Sequence, residues 1–249
     1  MLRERERDDV TGRDSSQVRE EICERRTILY KPLVDTSVAK LAGEQAKAKL
    51  FARLGIFKPK REQIQFVSLE KFYEPFIIIN GAYSIDYIRE ETYTLEVAGD
   101  VREVTLFDRT IKLEPSEARG RRRTQRITLV GEERVTYEDK AQLVFDNKGD
   151  EVKLDQFPPG PSEENPDMIL AELGEKIDTL KAPPVEEVEA LRSRIVKRPQ
   201  KIKRIISELF KVSERLLVYV PFYRAVYKNT ESGEEKILKI NGITCKIAS

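Results

Sequence analysis

Glu151-Val152-Lys153 has the E-x-K form, in which a carboxylate can hold a divalent cation and a lysine can steady developing charge. Asp139 and Asp146 lie upstream as further oxygen donors. Together they would suit metal-dependent phosphodiester cleavage. In a chain with 36% charged residues this spacing also arises by chance, and Glu70 likewise precedes a lysine, so a nuclease is the least expected of three functions. Histidine is absent, which excludes Ser-His-Asp and Cys-His mechanisms within the chain and removes the commonest metal ligand. Cys23 and Cys245 are the only cysteines, too few for a cysteine-rich zinc site, and they read as reduced thiols. Neither GxxxxGK[ST] nor GxGxxG occurs. The residues therefore point to no enzyme and to no cofactor.

Charge offers a different chemistry. Arg119, Arg121, Arg122, Arg123 and Arg126 are five arginines within eight residues. The stretch from Arg192 to Arg204 holds seven basic residues, Lys197, Arg198, Lys201 and Arg204 among them, and no acidic one. Guanidinium forks grip phosphate oxygens bidentately, so a nucleic-acid or ribosome contact is the alternative function these residues suggest. Glu163 to Glu189 is mostly acidic, and the formal net charge is only +1, so no global field drives such binding.

Two segments resemble each other. Tyr73-Glu74-Pro75-Phe76 aligns with Tyr219-Val220-Pro221-Phe222, and each follows a basic, proline-containing lead. Proline lacks a ladder donor, so each copy suits an edge or the start of a strand. Tyr73, Pro75, Phe76, Tyr219, Pro221 and Phe222 are accordingly candidate partner-binding residues on two related small α+β modules. Tyr73, Tyr219, Tyr223 and Tyr227 could instead form a stacking platform for bases, though half-buried strand packing is the commoner use. The last hairpin, Ile240-Asn241-Gly242-Ile243-Thr244-Cys245-Lys246-Ile247, resembles PepSY-like C-terminal β modules, with Cys245 where a glycine is usual.

The elements that would position these residues follow from periodicity and turn signals. Residues 1–26 read as a charged arm, helical in part around Gln17 to Arg26. Residues 27–154 read as a helix plus a β-rich domain. Asp35-Thr36-Ser37 caps a helix running from Ser37 to Leu54 and ending at Gly55. Strands follow from Gln63 to Leu113, with Asn80-Gly81 as a turn or bulge. Further strands span Arg126–Val130, Arg134–Tyr137, Ala141–Phe145 and Glu151–Leu154, separated at Gly131 and at Asn147-Lys148-Gly149. Residues 155–167 hold four prolines and a glycine and read as a linker. Residues 168–249 read as helices plus a β-hairpin: Asp167 to Leu180, then Pro184 to a stop before Pro199, then Gln200 to Leu216, whose Ile202, Ile205, Ile206, Leu209 and Phe210 fit one helical face.

The expected fold is thus α+β, with an antiparallel β-rich N-terminal body and a helical plus β-hairpin C-terminal unit. No apolar run is long enough to span a membrane, and the charged N-terminus lacks a signal core, so a cytoplasmic protein is expected. Abundant Glu, Lys and Arg suggest a thermophilic source. The expected role is a non-enzymatic interaction or scaffold subunit of a larger assembly, with a protein partner.

Overall fold

Three long strands dominate the fold. In the computed structural model the described residues are 18–52, 60–113, 124–154, 157, 159–181 and 186–248. In chain order the elements are β1 (Arg19–Ile22), β2 (Arg26–Leu29), α1 (Thr36–Leu50), β3 (Ile64–Ala98), β4 (Glu103–Leu106), β5 (Arg109–Lys112), β6 (Thr124–Phe145), α2 (Pro166–Leu173), α3 (Glu186–Ile195), β7 (Ile202–Asn229), β8 (Glu235–Asn241) and β9 (Ile247–Ala248). One sheet has the order β6-β3-β7-β8-β9, with β1 and β2 also paired to β7, while β4 and β5 form a separate hairpin. The fold is β-rich α+β with mostly antiparallel pairing. β2 lies parallel to β7, with Arg26 beside Leu216 and Leu29 beside Tyr219.

Several sequence expectations are corrected. The expected helix from Gln200 to Leu216 is the first half of β7. Its isoleucines fit a helical stripe, but burial alternates through Glu208, Phe210 and Val212, a two-residue period set by strands on both sides. The expected helix around Gln17 to Arg26 is replaced by β1 and β2. The short middle strands from Ile64 to Ala98 and from Thr124 to Phe145 merge into β3 and β6, and neither Gly81 nor Gly131 makes a turn. The expected strand Glu151–Leu154 is reduced to a single bridge between Glu151 and Phe145, because the turn after Phe145 allows no longer pairing. Gly81 is a close-approach residue: a Cβ there would stand 2.6 Å from the Lys211 carbonyl oxygen and 2.6 Å from Leu191 Cδ2. Gly131 lies under the Tyr93 ring, 3.2 Å from where its Cβ would be, so an aromatic neighbour covers it. The turn at Asn147-Lys148-Gly149 is present, with Asp146 Oδ1 accepting from the N–H groups of Lys148 and Asp150. Asp35 stands at the start of α1 but its side chain makes no cap bond, and α1 stops at Leu50; Gly55 lies outside the described residues. α2 ends at Gly174, whose φ of 52° breaks the helix well before Leu180.

The chain divides into two units, and β3, β6 and β7 contribute to both. The larger holds Glu20–Tyr83, Asp139–Lys197 and Phe210–Ser249. Here both faces of β7 are covered. Tyr223, Ala225 and Tyr227 join Ala39, Ala46 and Phe51 in the core beneath α1. Leu216, Val218, Val220 and Phe222 point the other way, into a core with Phe72, Ile78, Val144 and Phe157. This is the alternation of a central strand buried on two sides. α3 adds Leu191 and Ile195, both essentially fully buried. Of the proline-rich stretch, Phe157 is buried and Pro161 O accepts from Lys31 N–H at 2.7 Å.

The smaller unit holds Ser84–Glu138 and Arg198–Leu209, together with the start of the chain. Its sheet residues come from β6, β3 and β7 in that order. Among its described residues only Ile85, Tyr87, Ile127 and Glu208 are buried. Ion pairs between its strands take the place of a core.

Candidate interaction surface

The two Y-x-P-F segments meet in the interior of the larger unit. Thr230 N–H donates to Gln63 O at 2.8 Å and Ser213 Oγ to Asn80 O at 3.3 Å, so β3 and β7 run antiparallel there. That brings Phe72 onto Phe222, with ring centroids 6.0 Å apart, and Phe76 within 6.4 Å of Phe222. Tyr73, Pro75, Pro221 and Phe222 are buried, and Phe76 and Tyr219 are half-buried. Pro221 needs no ladder donor, for a topological reason. β2 leaves β7 at Tyr219 and β8 joins it at Phe222, so Pro221 sits in the gap between successive neighbours. The six residues are brought together, and their side chains are engaged in holding two central strands. The four tyrosines share this fate: burial pushes the hydroxyls of Tyr73, Tyr219 and Tyr223 above their usual range and Tyr227 up to about 12.

The basic residues fall into two groups. Arg119, Arg121, Arg122 and Arg123 lie outside the described residues. The basic stretch Arg192 to Arg204, expected on two helices, lies mostly outside one: α3 ends at Ile195 and β7 begins at Ile202, so Lys197, Arg198 and Lys201 are on the connection and Arg204 is in a strand. Lys201 has a left-handed φ of 62° there.

In the smaller unit the cations flank an acidic central strand. β3 presents Asp86, Glu90 and Glu96 on one face, because alternate residues of a strand share a side. Arg126 and Arg134 of β6 pair with Glu96 at 3.1 Å and with Asp86, and Lys203 of β7 pairs with Glu90 at 3.1 Å and Glu132 at 2.8 Å. The order of these pairs makes β3 and β6 antiparallel. On the opposite face Arg89 binds Glu133 at 2.7 Å, and the Tyr93 hydroxyl donates to the same carboxylate. These hydrogen bonds hold Asp86, Glu132 and Glu133 below the usual carboxylate range and raise the Tyr93 hydroxyl. Arg198 forms a fork with the buried Glu208 at 2.8 and 2.6 Å, and Lys201 lies 3.9 Å from Glu91. Arg126, Arg198 and Lys201 are therefore already matched with carboxylates; Lys197 and Arg204 are exposed.

The E-x-K residues are likewise engaged. Glu151 pairs with Arg194 at 2.7 Å, Asp146 serves its own turn, and Asp139 Oδ1 accepts from the Lys140 N–H. Among the described residues no three Asp, Glu or Cys side chains are grouped to hold a metal ion.

What sequence reasoning missed is the tip of the β4–β5 hairpin. Val104 faces Ile111, Thr105 faces Thr110 with their hydroxyls 3.0 Å apart, and Leu106 faces Arg109. The two-residue turn is Phe107-Asp108, with φ values of 49° and 60°. That is the twist-matched hairpin turn with two left-handed residues, which Asn-Gly satisfies best. A bulky side chain there is a steric outlier, and the Phe107 ring is 94% exposed. The signal in the sequence is Phe-Asp between two alternating runs, which together read as one segment. A second exposed feature is the outer edge of β6, whose only strand neighbour among the described residues is β3. Comparison with protein-family models, with curated proteins and with solved structures finds no match for this chain.

Proposed function

We propose that this chain is a non-enzymatic subunit of a larger intracellular assembly, which takes hold of a protein partner through the β4–β5 hairpin. The observation that carries the reading is Phe107. Its left-handed backbone costs of order 1 kcal/mol, and its exposed ring gains nothing back within the chain. Local strain combined with a solvent-facing aromatic is the pattern of an anchor whose compensation comes from a binding pocket, and buried aromatic anchors dominate interface energetics. The matched ion pairs support a protein partner over a polyanion, since Arg126, Arg198 and Lys201 would first have to break existing contacts to reach phosphate. Cys23 and Cys245 as free thiols suit a reducing compartment.

The test is Phe107→Asn with Asp108→Gly. These residues are the preferred occupants of the turn, so the variant should be more stable by about 1 kcal/mol in urea. Stoichiometric capture of a protein from nuclease-treated lysate of the source organism should be lost with it. Retention of the same partner by this variant contradicts the hairpin as the anchor. Loss of the partner from wild type on nuclease treatment contradicts a protein-mediated contact.

A further inference from the structure

We propose that the chain pairs with a second copy of itself along β6, antiparallel, about a two-fold axis at Leu129. The surface is distinct from the hairpin tip. β6 lies at the end of the sheet order, and over Thr124–Thr136 its outer side has no strand neighbour among the described residues. Such an edge presents free N–H and C=O groups, and proteins blunt it with proline, bulges or charges. β6 has no proline. Gly131, the residue where pairing would be weakest, is covered by Tyr93.

Charges on an edge block self-pairing only where the register sets like against like. In antiparallel self-pairing, residues equidistant from the axis stand opposite each other. With the axis at Leu129, Arg126 faces Glu132 on both sides, Gln125 faces Glu133, and Thr128 faces Val130. Each other nearby register loses this. An axis at Val130 sets Arg126 against Arg134; at Thr128 or Gly131 it leaves Arg126 opposite an uncharged residue; at Glu132 that carboxylate meets itself. The edge is thus self-complementary in one register. Arg126 and Glu132 already hold Glu96 and Lys203 within their own chain. Across the axis these join into an alternating row of Lys203, Glu132, Arg126 of the partner subunit and Glu96 of the partner subunit, in which no like charges touch. The β6, β3 and β7 strands of each copy then continue as one sheet across the axis.

Directly opposed residues in antiparallel strands have Cα atoms about 4.5–5.5 Å apart, within reach of a disulfide. Leu129→Cys, in a Cys23→Ser and Cys245→Ser background, should therefore give a covalent dimer on mild oxidation, whereas Thr136→Cys in the same background should not. Wild-type protein should sediment as a dimer at roughly 100 μM, which corresponds to a modest association free energy. Arg126→Glu should weaken the dimer at least ten-fold, and Arg126→Glu with Glu132→Arg should restore it. Sedimentation of wild type as a monomer overturns the proposal. So does a dimer that survives Arg126→Glu, or one that cross-links as well through Thr136→Cys as through Leu129→Cys. A monomer that still captures a partner through Phe107 leaves the hairpin reading standing; a dimer whose partner capture ignores Phe107 does the reverse.

Discussion

At the scale of single residues, the closest tolerances lie where a side chain is missing. Gly81 has backbone on one side and the Leu191 side chain on the other. Gly81→Ala should lower the urea midpoint by an amount worth about 1–3 kcal/mol, because the Lys211 carbonyl belongs to β7 and cannot step aside. An unchanged or higher midpoint would show that β3 and β7 can separate locally. The same substitution at an unconstrained extended position would be neutral or slightly stabilising, since alanine lowers the entropy of the unfolded chain. Cys245 shows the complementary case. It holds a φ of 60° in the turn where Asn241 Oδ1 accepts from Ile243 and Thr244, the position where the resembled pattern carries glycine. There the sequence departs from the easiest backbone choice while keeping a side chain against the core beneath α1.

At the scale of elements, the two units should differ in what they resist. The larger has two apolar cores; the smaller relies on ion pairs whose partners are mostly well exposed. Exposed pairs contribute about 0–1 kcal/mol each and are screened by salt. Hydrogen exchange at Arg126–Thr136 should accelerate in about 1 M salt, while exchange at Phe76–Ile79 should change little. Equal protection at both segments in low and high salt would mean that the smaller unit has support beyond its charges. These elements were unevenly legible in the sequence. α1, α3 and the final hairpin could be read because caps, proline stops and local periodicity mark them. The first half of β7 could not, because Ile202, Ile205 and Ile206 satisfy a helical stripe as well as a strand, and the choice is made by β3, far away in the chain. The basic blocks were visible as composition, but the acidic row on β3 that pairs with Arg126 and Lys203 emerges only once the strands are aligned. The Y-x-P-F likeness was visible too. Its use, packing Phe76 against Phe222, depends on antiparallel pairing that no local pattern records.

At the scale of the whole molecule, the titration behaviour is set by what is absent and what is buried. With no histidine, no imidazole titrates between the carboxylates and the tyrosines. Glu20, Asp86, Glu132 and Glu133 have lowered pKa values, chiefly through hydrogen bonds from Arg192, Arg134, Lys203 and Tyr93 respectively. Their contribution is present above the ordinary carboxylate range and is lost as pH falls through the lowered values. Tyr227 behaves oppositely. Its folded value of about 12, raised by burial and by the Glu44 charge from 10.0, leaves its contribution intact below pH 10 and removes it between there and about 12. The full effect is at most about 3 kcal/mol. Melting temperatures should form a plateau across neutral pH and fall at both ends, and Tyr227→Phe should extend the alkaline shoulder upward. A steep change near pH 6–7, or an alkaline limb unmoved in Tyr227→Phe, would contradict this assignment. A different consequence follows from the place of β7 in the strand order. β1, β2, β3 and β8 all hydrogen-bond to it, yet β1, β2 and β3 leave the ribosome well before it does. Through most of synthesis the apolar run Phe76–Ile79 and the two short strands ahead of it wait without their common partner. Long-range pairing of this kind closes slowly and leaves strand edges open meanwhile. Production of this chain should therefore depend on chaperone supply and on speed of translation more than its finished stability would suggest, and truncation before Ile202 should yield an insoluble product.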